Sequence, residues 1–202
     1  MLRKKFNLGL LLLSFILLLP FSAFADSASD LFRNGNDPIN GNPNGSVTLV
    51  EFFDYQCSHC ANMVSVVDRL ISNNPSLRVV YKDYPVLGSG SVYAARAALA
   101  AKKQGSYLQL HRVLFASDGS TSSVIASAKR LGLDVSRLES DMNSSAVTNQ
   151  LRDNQRLAQK LGIPGTPAFY VGKTNSSSMS NVRSFMGEVS QSELQRAIDG
   201  SN

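Results

Sequence analysis

The chain has no tryptophan, two histidines and two cysteines among its 202 residues. Each scarcity removes a class of protein. Small secreted folds that cannot build a core need several disulfides. This chain has one possible pair and enough length to bury a sizeable core without it. A structural zinc site takes four ligands. Beyond Cys57 and Cys60 only His59 and His111 could serve, and His59 sits inside the loop that joins the two cysteines. Haem attachment needs a histidine directly after the second cysteine, where this chain has Ala61. No basic block interleaved with aromatics marks a nucleic-acid surface. No metal, organic cofactor or nucleic-acid partner is expected.

Long apolar runs are equally scarce. The one run spans Leu8 to Leu19, behind Arg3, Lys4 and Lys5 and ahead of Ala23-Phe24-Ala25. It falls short of the ~20 residues that cross a bilayer. Charged start, short apolar stretch and small-x-small site read together as a secretory signal peptide over residues 1–25. An uncleaved membrane anchor is the alternative. No cysteine near the cleavage site offers a lipid attachment point. Export places the two cysteines in an oxidising compartment.

The rest of the chain divides by pattern. Residues 26–45 are polar and turn-rich, an irregular lead-in. Val47 to Phe53 (VTLVEFF) is β-branched and aromatic without a breaker, a buried central strand. Met63, Val64, Val67, Leu70 and Ile71 recur at helical spacing, and Leu77 to Asp83 (LRVVYKD) is a second strand. Strand, helix, strand is a parallel βαβ unit. From about residue 89 to 161 the pattern is helical, in four or five short elements, with Asp134 placed to cap one of them. Ala168 to Val171 and Asn181 to Met186 then read as an antiparallel hairpin. Ser190-Gln191-Ser192-Glu193 is a capping-box pattern opening a last helix. The order is βαβ, helical block, ββα. That is a small mixed α/β sheet with helices on both faces and a helical insertion.

Cys57-Ser58-His59-Cys60 falls where the first strand gives way to its helix. A CxxC alone says little. At a helix N-terminus, however, a cysteine faces unpaired backbone N–H groups and the positive end of the helix dipole. Both stabilise a thiolate, and a neighbouring imidazolium adds to that. The position predicts Cys57 as an exposed attacking thiol and Cys60, one turn in, as a buried resolving one. A bridge closing so short a loop removes little unfolded-state entropy, so a purely structural disulfide is the weaker reading. Glu51 interrupts an apolar strand, where a carboxylate is costly unless it is used or paired. It is a candidate buried proton acceptor for Cys60, with Lys82 on the neighbouring strand as a weak candidate partner; an edge position in solvent is the alternative. Asp54 reads as a turn residue and His111 as a structural histidine. Pro167, opening a strand after Gly165-Thr166, is a candidate cis proline.

Four segments together resemble the DsbA-like thiol–disulfide oxidoreductases of the thioredoxin superfamily (DsbA/BdbD-type). They are Val50-Glu51-Phe52-Phe53-Asp54-Tyr55-Gln56-Cys57-Ser58-His59-Cys60, Lys82-Asp83-Tyr84-Pro85-Val86-Leu87-Gly88, Leu108 to Phe115 (LQLHRVLF) and Gly165-Thr166-Pro167-Ala168-Phe169. The resemblance implies an α/β thioredoxin fold from residues 46–88 and 162–202, with an all-helical domain inserted at 89–161. It implies that Pro167 is cis beside the CxxC and that Thr166 offers backbone groups to an extended substrate segment. It also implies that Glu51 is the family's buried acid. The implied substrates are reduced exported polypeptides, the implied compartment is the periplasm, and the implied reoxidant is a quinone-linked membrane partner of the DsbB kind. A monomer is expected, because the lead-in is too short to supply a dimerisation domain. The best-known members carry Pro-His between the cysteines, whereas this chain has Ser58-His59. The CxxC also leaves open an isomerase or reductase using the same residues. A secreted binding or chaperone-like protein in which the motif is incidental is a further alternative.

Overall fold

The computed structural model describes residues 28–117 and 120–201. The expected signal peptide at residues 1–25 lies outside the described residues. Strands β1 (Ile39–Gly41), β2 (Val47–Phe53) and β3 (Leu77–Asp83) surround helix α1 (Ser58–Asn73) in sequence. Five helices follow: α2 (Ser89–Lys102), α3 (Tyr107–Phe115), α4 (Thr121–Arg130), α5 (Val135–Met142) and α6 (Ser145–Lys160). The chain closes with β4 (Ala168–Lys173), a 3₁₀ turn (Met179–Asn181), β5 (Arg183–Met186) and α7 (Gln191–Asp199). The five strands form one sheet in the order β1-β3-β2-β4-β5. It is a mixed α/β thioredoxin-like fold, with α2–α6 inserted between β3 and β4.

The sheet sorts side chains by parity. β2 and β3 run parallel at its centre and every residue of both is buried, as expected for strands covered on both faces. Successive residues point to opposite faces. Val47, Leu49 and Phe53 join Leu77, Val79 and Tyr81 in the larger core, under α1, α7 and the inserted helices. Val50, Phe52 and Val80 belong to a second core closed by Leu157 and Ala158 of α6 and by Leu31 and Phe32.

The lead-in is more ordered than its polar composition predicts. A helical segment runs through residues 28–32, and β1 pairs antiparallel with β3, Ile39 opposite Val80. A three-residue strand containing Asn and Gly carries no alternation to read. Its order comes from the second core instead. Arg78 donates to the Phe32 carbonyl at 2.6 Å and Lys82 to the Asp30 carbonyl at 2.8 Å. Both acceptors are end-of-helix carbonyls with no intrahelical partner.

Lys82 also ion-pairs with Asp37 at 2.6 Å, with side chains 1% and 0% exposed. This corrects its assignment as a partner of Glu51. Lys82 lies opposite Phe52 in the ladder while Glu51 lies opposite Tyr81, so the two charged groups face opposite sides of the sheet. Caps elsewhere follow the sequence: Asp134 accepts the Arg137 N–H at 3.0 Å, and Ser190 with Glu193 completes a capping box. Among the described residues, no helix is long and apolar enough to cross a membrane. Replacing Asp37 by Ala leaves the Lys82 charge buried without its counter-ion. The expected loss is about 3–5 kcal/mol in urea unfolding, whereas a change at the exposed Asp153–Arg156 pair is expected to cost under about 1 kcal/mol.

Candidate active site

The site forms where β2 hands over to α1. Asp54 holds the turn between them. Its Oδ1 accepts the Gln56 N–H at 2.8 Å, and its Oδ2 accepts the N–H groups of Val86 and Leu87 at 2.7 and 2.9 Å. Asp54 is 1% exposed, so this carboxylate replaces water for three backbone donors. It ties the cysteine turn to the segment leaving β3. The expectation of a turn residue understated it, because the partners some thirty residues away leave no local signal.

Cys57 caps α1, and its Sγ accepts the Cys60 N–H at 3.3 Å. The same sulfur lies 3.4 Å from the Thr166 carbonyl, to which its thiol donates. The Thr166–Pro167 peptide bond is cis. Residues 109 positions apart thus meet at one sulfur. Cys60 is fully buried, as expected, but Cys57 is only 7% exposed. That corrects the expectation of an exposed thiol: the segment before β4 lies over it. Ser58 and His59, between them, are exposed. Both cysteines are free thiols in this structure. Burial, and then the hydrogen bond with Cys57, pushes the Cys60 thiol well above its ordinary range. The inner thiol is thus the one that burial keeps protonated, while a backbone donor points at the outer sulfur.

Glu51 is 3% exposed and shares the parity of Val47, Leu49 and Phe53. It therefore points to the same face of the sheet as the core that contains Cys60. The alternative of a solvated edge is excluded, since β2 is flanked by β3 and β4. Burial alone pushes the Glu51 carboxyl up to about 8, so it carries its proton at pH 7.

A second buried acid was not singled out from sequence. Asp83 ends β3 on that same face, accepts the Tyr107 hydroxyl at 2.9 Å, and is pushed by burial up to about 8. Nearby, His111 packs its ring between Tyr81, Phe53 and Phe115, and its Nδ1 lies 3.0 Å from the Tyr55 hydroxyl. Burial lowers His111 to about 3. It is neutral at pH 7, in keeping with a structural role.

The other residue missed is Glu188. It accepts from Asn62 at 2.6 Å and pairs with His59 Nδ1 at 2.8 Å. It lies 129 positions from His59, on the loop after β5, and nothing periodic in the sequence points there. Pro164 and Gly165 complete the approach to the cis peptide without contacting the cysteines through any described hydrogen bond.

The family model described as "DSBA-like thioredoxin domain" matches residues 48–199. The chain belongs to that family. The CxxC at Cys57–Cys60 lies inside that DSBA-like thioredoxin domain. The chain is similar to the crystal structure of a thioredoxin-like oxidoreductase from Silicibacter pomeroyi DSS-3. That likeness has 41% identity and a TM-score of 0.78, covering 85% of this chain and 95% of that one. It is 26% identical over 148 residues to the thiol:disulfide interchange protein DsbA of Bordetella pertussis (strain Tohama I / ATCC BAA-589 / NCTC 13251), covering 70% of each. It is also 30% identical over 142 residues, 67% of the chain, to Na(+)/H(+) antiporter NhaA 1 of Mycobacterium sp. (strain KMS). The match spans only 23% of that protein's length.

Two outcomes follow for this DsbA-like site. Asp54→Ala strands three backbone donors and is expected to lower stability by about 2–4 kcal/mol, read by urea denaturation. For Glu51, the folded value of about 8 lies above the unfolded value of 4.5. Its contribution is therefore fully present below about pH 4.5 and is lost as pH rises through about 8. Glu51→Gln of the reduced protein is expected to gain about 3 kcal/mol over the parent at pH 7. The gain should vanish near pH 4, measured as paired unfolding curves.

Proposed function

We propose that the protein is a periplasmic dithiol oxidase that introduces disulfide bonds into exported polypeptides. The observation that carries this reading is the setting of Cys57 Sγ, between the Cys60 N–H at 3.3 Å and the Thr166 carbonyl at 3.4 Å. A sulfur held by a backbone donor at a helix start is a good leaving group, because its thiolate is stabilised.

The cycle starts from the Cys57–Cys60 disulfide. A substrate thiolate attacks Cys57 Sγ, the S–S bond breaks, and Cys60 leaves with the electron pair. Buried as it is, Cys60 must take a proton; Glu51, protonated on the same face of the sheet, is the assigned donor. The mixed disulfide on Cys57 is then resolved by the substrate's second thiolate, which attacks the substrate sulfur. Cys57 leaves as a thiolate. The substrate loses two electrons and the protein holds them as a dithiol. Thr166 and Pro167 form the wall along which an extended substrate segment lies, in the manner of strand addition. Ser58, where the best-known members have proline, faces solvent on the same rim. The dithiol is returned to the disulfide by a quinone-linked membrane oxidase of the DsbB kind, and the protein works as a monomer.

The test is oxidation of a dithiol peptide by the stoichiometric oxidised protein. One peptide disulfide per Cys57–Cys60 pair is expected, and Cys57→Ser and Cys60→Ser, neither of which can form the protein disulfide, should each lose at least ~100-fold in rate. A reduction potential nearer −120 mV than −270 mV is expected. Rapid insulin reduction with a potential near −270 mV would overturn the oxidase assignment, and a fully active Cys57→Ser would overturn disulfide exchange altogether.

A further inference from the structure

The oxidising strength of a CxxC disulfide depends on how well its reduced form holds a thiolate. Positive charge over the loop strengthens it, and His59 is the one basic side chain between the two cysteines. Its ring is not free. His59 Nδ1 lies 2.8 Å from Glu188 Oε1, and the same oxygen accepts Asn62 Nδ2 at 2.6 Å. The carboxylate is thus fastened from two positions of the first turns of α1. Those two hydrogen bonds, the one from Asn62 first, hold the Glu188 carboxyl below its ordinary range.

The backbone puts Glu188 there. β5 is hydrogen-bonded to β4, Met186 opposite Ala168. The next residue, Gly187, takes a φ of 81° and donates its N–H to the Pro167 carbonyl at 2.8 Å. The cis-proline segment that touches Cys57 therefore also anchors the loop carrying Glu188. On the ring's own element the titratable groups beside it are Cys57 and Cys60; Asp68 and Arg69, further along α1, are engaged with Arg112 and Gln191, and Glu188 is the charged side chain brought to the ring from another element. A neighbouring carboxylate turns the imidazolium from a net positive charge into one end of a dipole. The field that reaches Cys57 falls accordingly.

We propose that Glu188 is a positioning residue that holds His59 in an ion pair and thereby weakens the Cys57–Cys60 disulfide as an oxidant. The proposal rests on the disulfide-exchange reading above and concerns its regulation. Because the pair is exposed, with side chains 69% and 41% accessible, solvent screens it, and the expected effect is moderate.

The experiment equilibrates the full chain, Glu188→Gln, His59→Ala and the double variant with glutathione buffers at pH 6, 7 and 8. Glutamine keeps the shape and removes the charge. Glu188→Gln is expected to favour the dithiol about fivefold over the parent at pH 6, which is about 20 mV for a two-electron couple. In the His59→Ala background the Glu188 change should have less than about a twofold effect at every pH. A Glu188→Gln constant within about twofold of the parent at pH 6 would overturn the proposal. So would a full fivefold effect without His59, since Glu188 would then act on the cysteines directly. A parent that does not exchange with glutathione at all overturns the function and this inference together. A parent that exchanges while Glu188→Gln matches it overturns this inference alone.

Discussion

Cys57 Sγ stands between a backbone N–H of its own helix and the carbonyl of Thr166. One contact comes from the chain before the helical insertion and the other from the chain after it. Everything else in the fold serves to make these two meet. β2 and β4 are neighbours in the sheet, with Phe52 opposite Ala168, so the end of one lies beside the start of the other. The peptide before β4 then falls onto the first turn of α1. The redox centre needs no cavity, only the crossing of two chain ends that the strand order places together.

The two faces of the sheet handle buried charge differently. On the face of the second core, Lys82 and Asp37 compensate each other, and the surplus donors of Lys82 and Arg78 satisfy helix-end carbonyls. On the face that packs on the cysteines, Glu51 and Asp83 have no cationic partner among the described residues. They resolve the cost of burial by keeping their protons, the usual response of an unpaired buried carboxyl. His111 does the converse by staying neutral. The face that packs on the cysteines is thus populated by groups that are neutral at pH 7 and can release or accept a proton. The opposite face is a fixed structural ion pair.

Much of this was legible in the residues. β2, α1 and β3 announce themselves by period, and the inserted helices by apolar spacing and caps such as Asp134. Parity also predicts that Glu51 turns inward once Val47, Leu49 and Phe53 are taken as core. The same parity argument, applied to β3, would have separated Lys82 from Glu51, since the parallel register sets Lys82 opposite Phe52. Register was the missing information. β1 was illegible because three residues carry no period, and Glu188 because its meaning depends on where a distant loop lands. A place at a helix start predicts an exposed Cys57, and a helix start is where it sits. The covering segment belongs to another part of the chain.

The inserted helices have one further property. Their entry runs through Val86 and Leu87, whose N–H groups are held by Asp54 in the cysteine turn. Their exit runs through Thr166, whose carbonyl meets Cys57. Both junctions of the insertion are thus fastened to the rim of the redox centre, and two of its helices reach the cysteine turn as well: Ser91 of α2 donates to Gln56 Oε1 at 3.0 Å, and His111 Nδ1 of α3 lies 3.0 Å from the Tyr55 hydroxyl. The block is riveted to the mouth at its two ends and through α2 and α3. A change of length at either junction, or of packing in those two helices, is a change to the mouth itself.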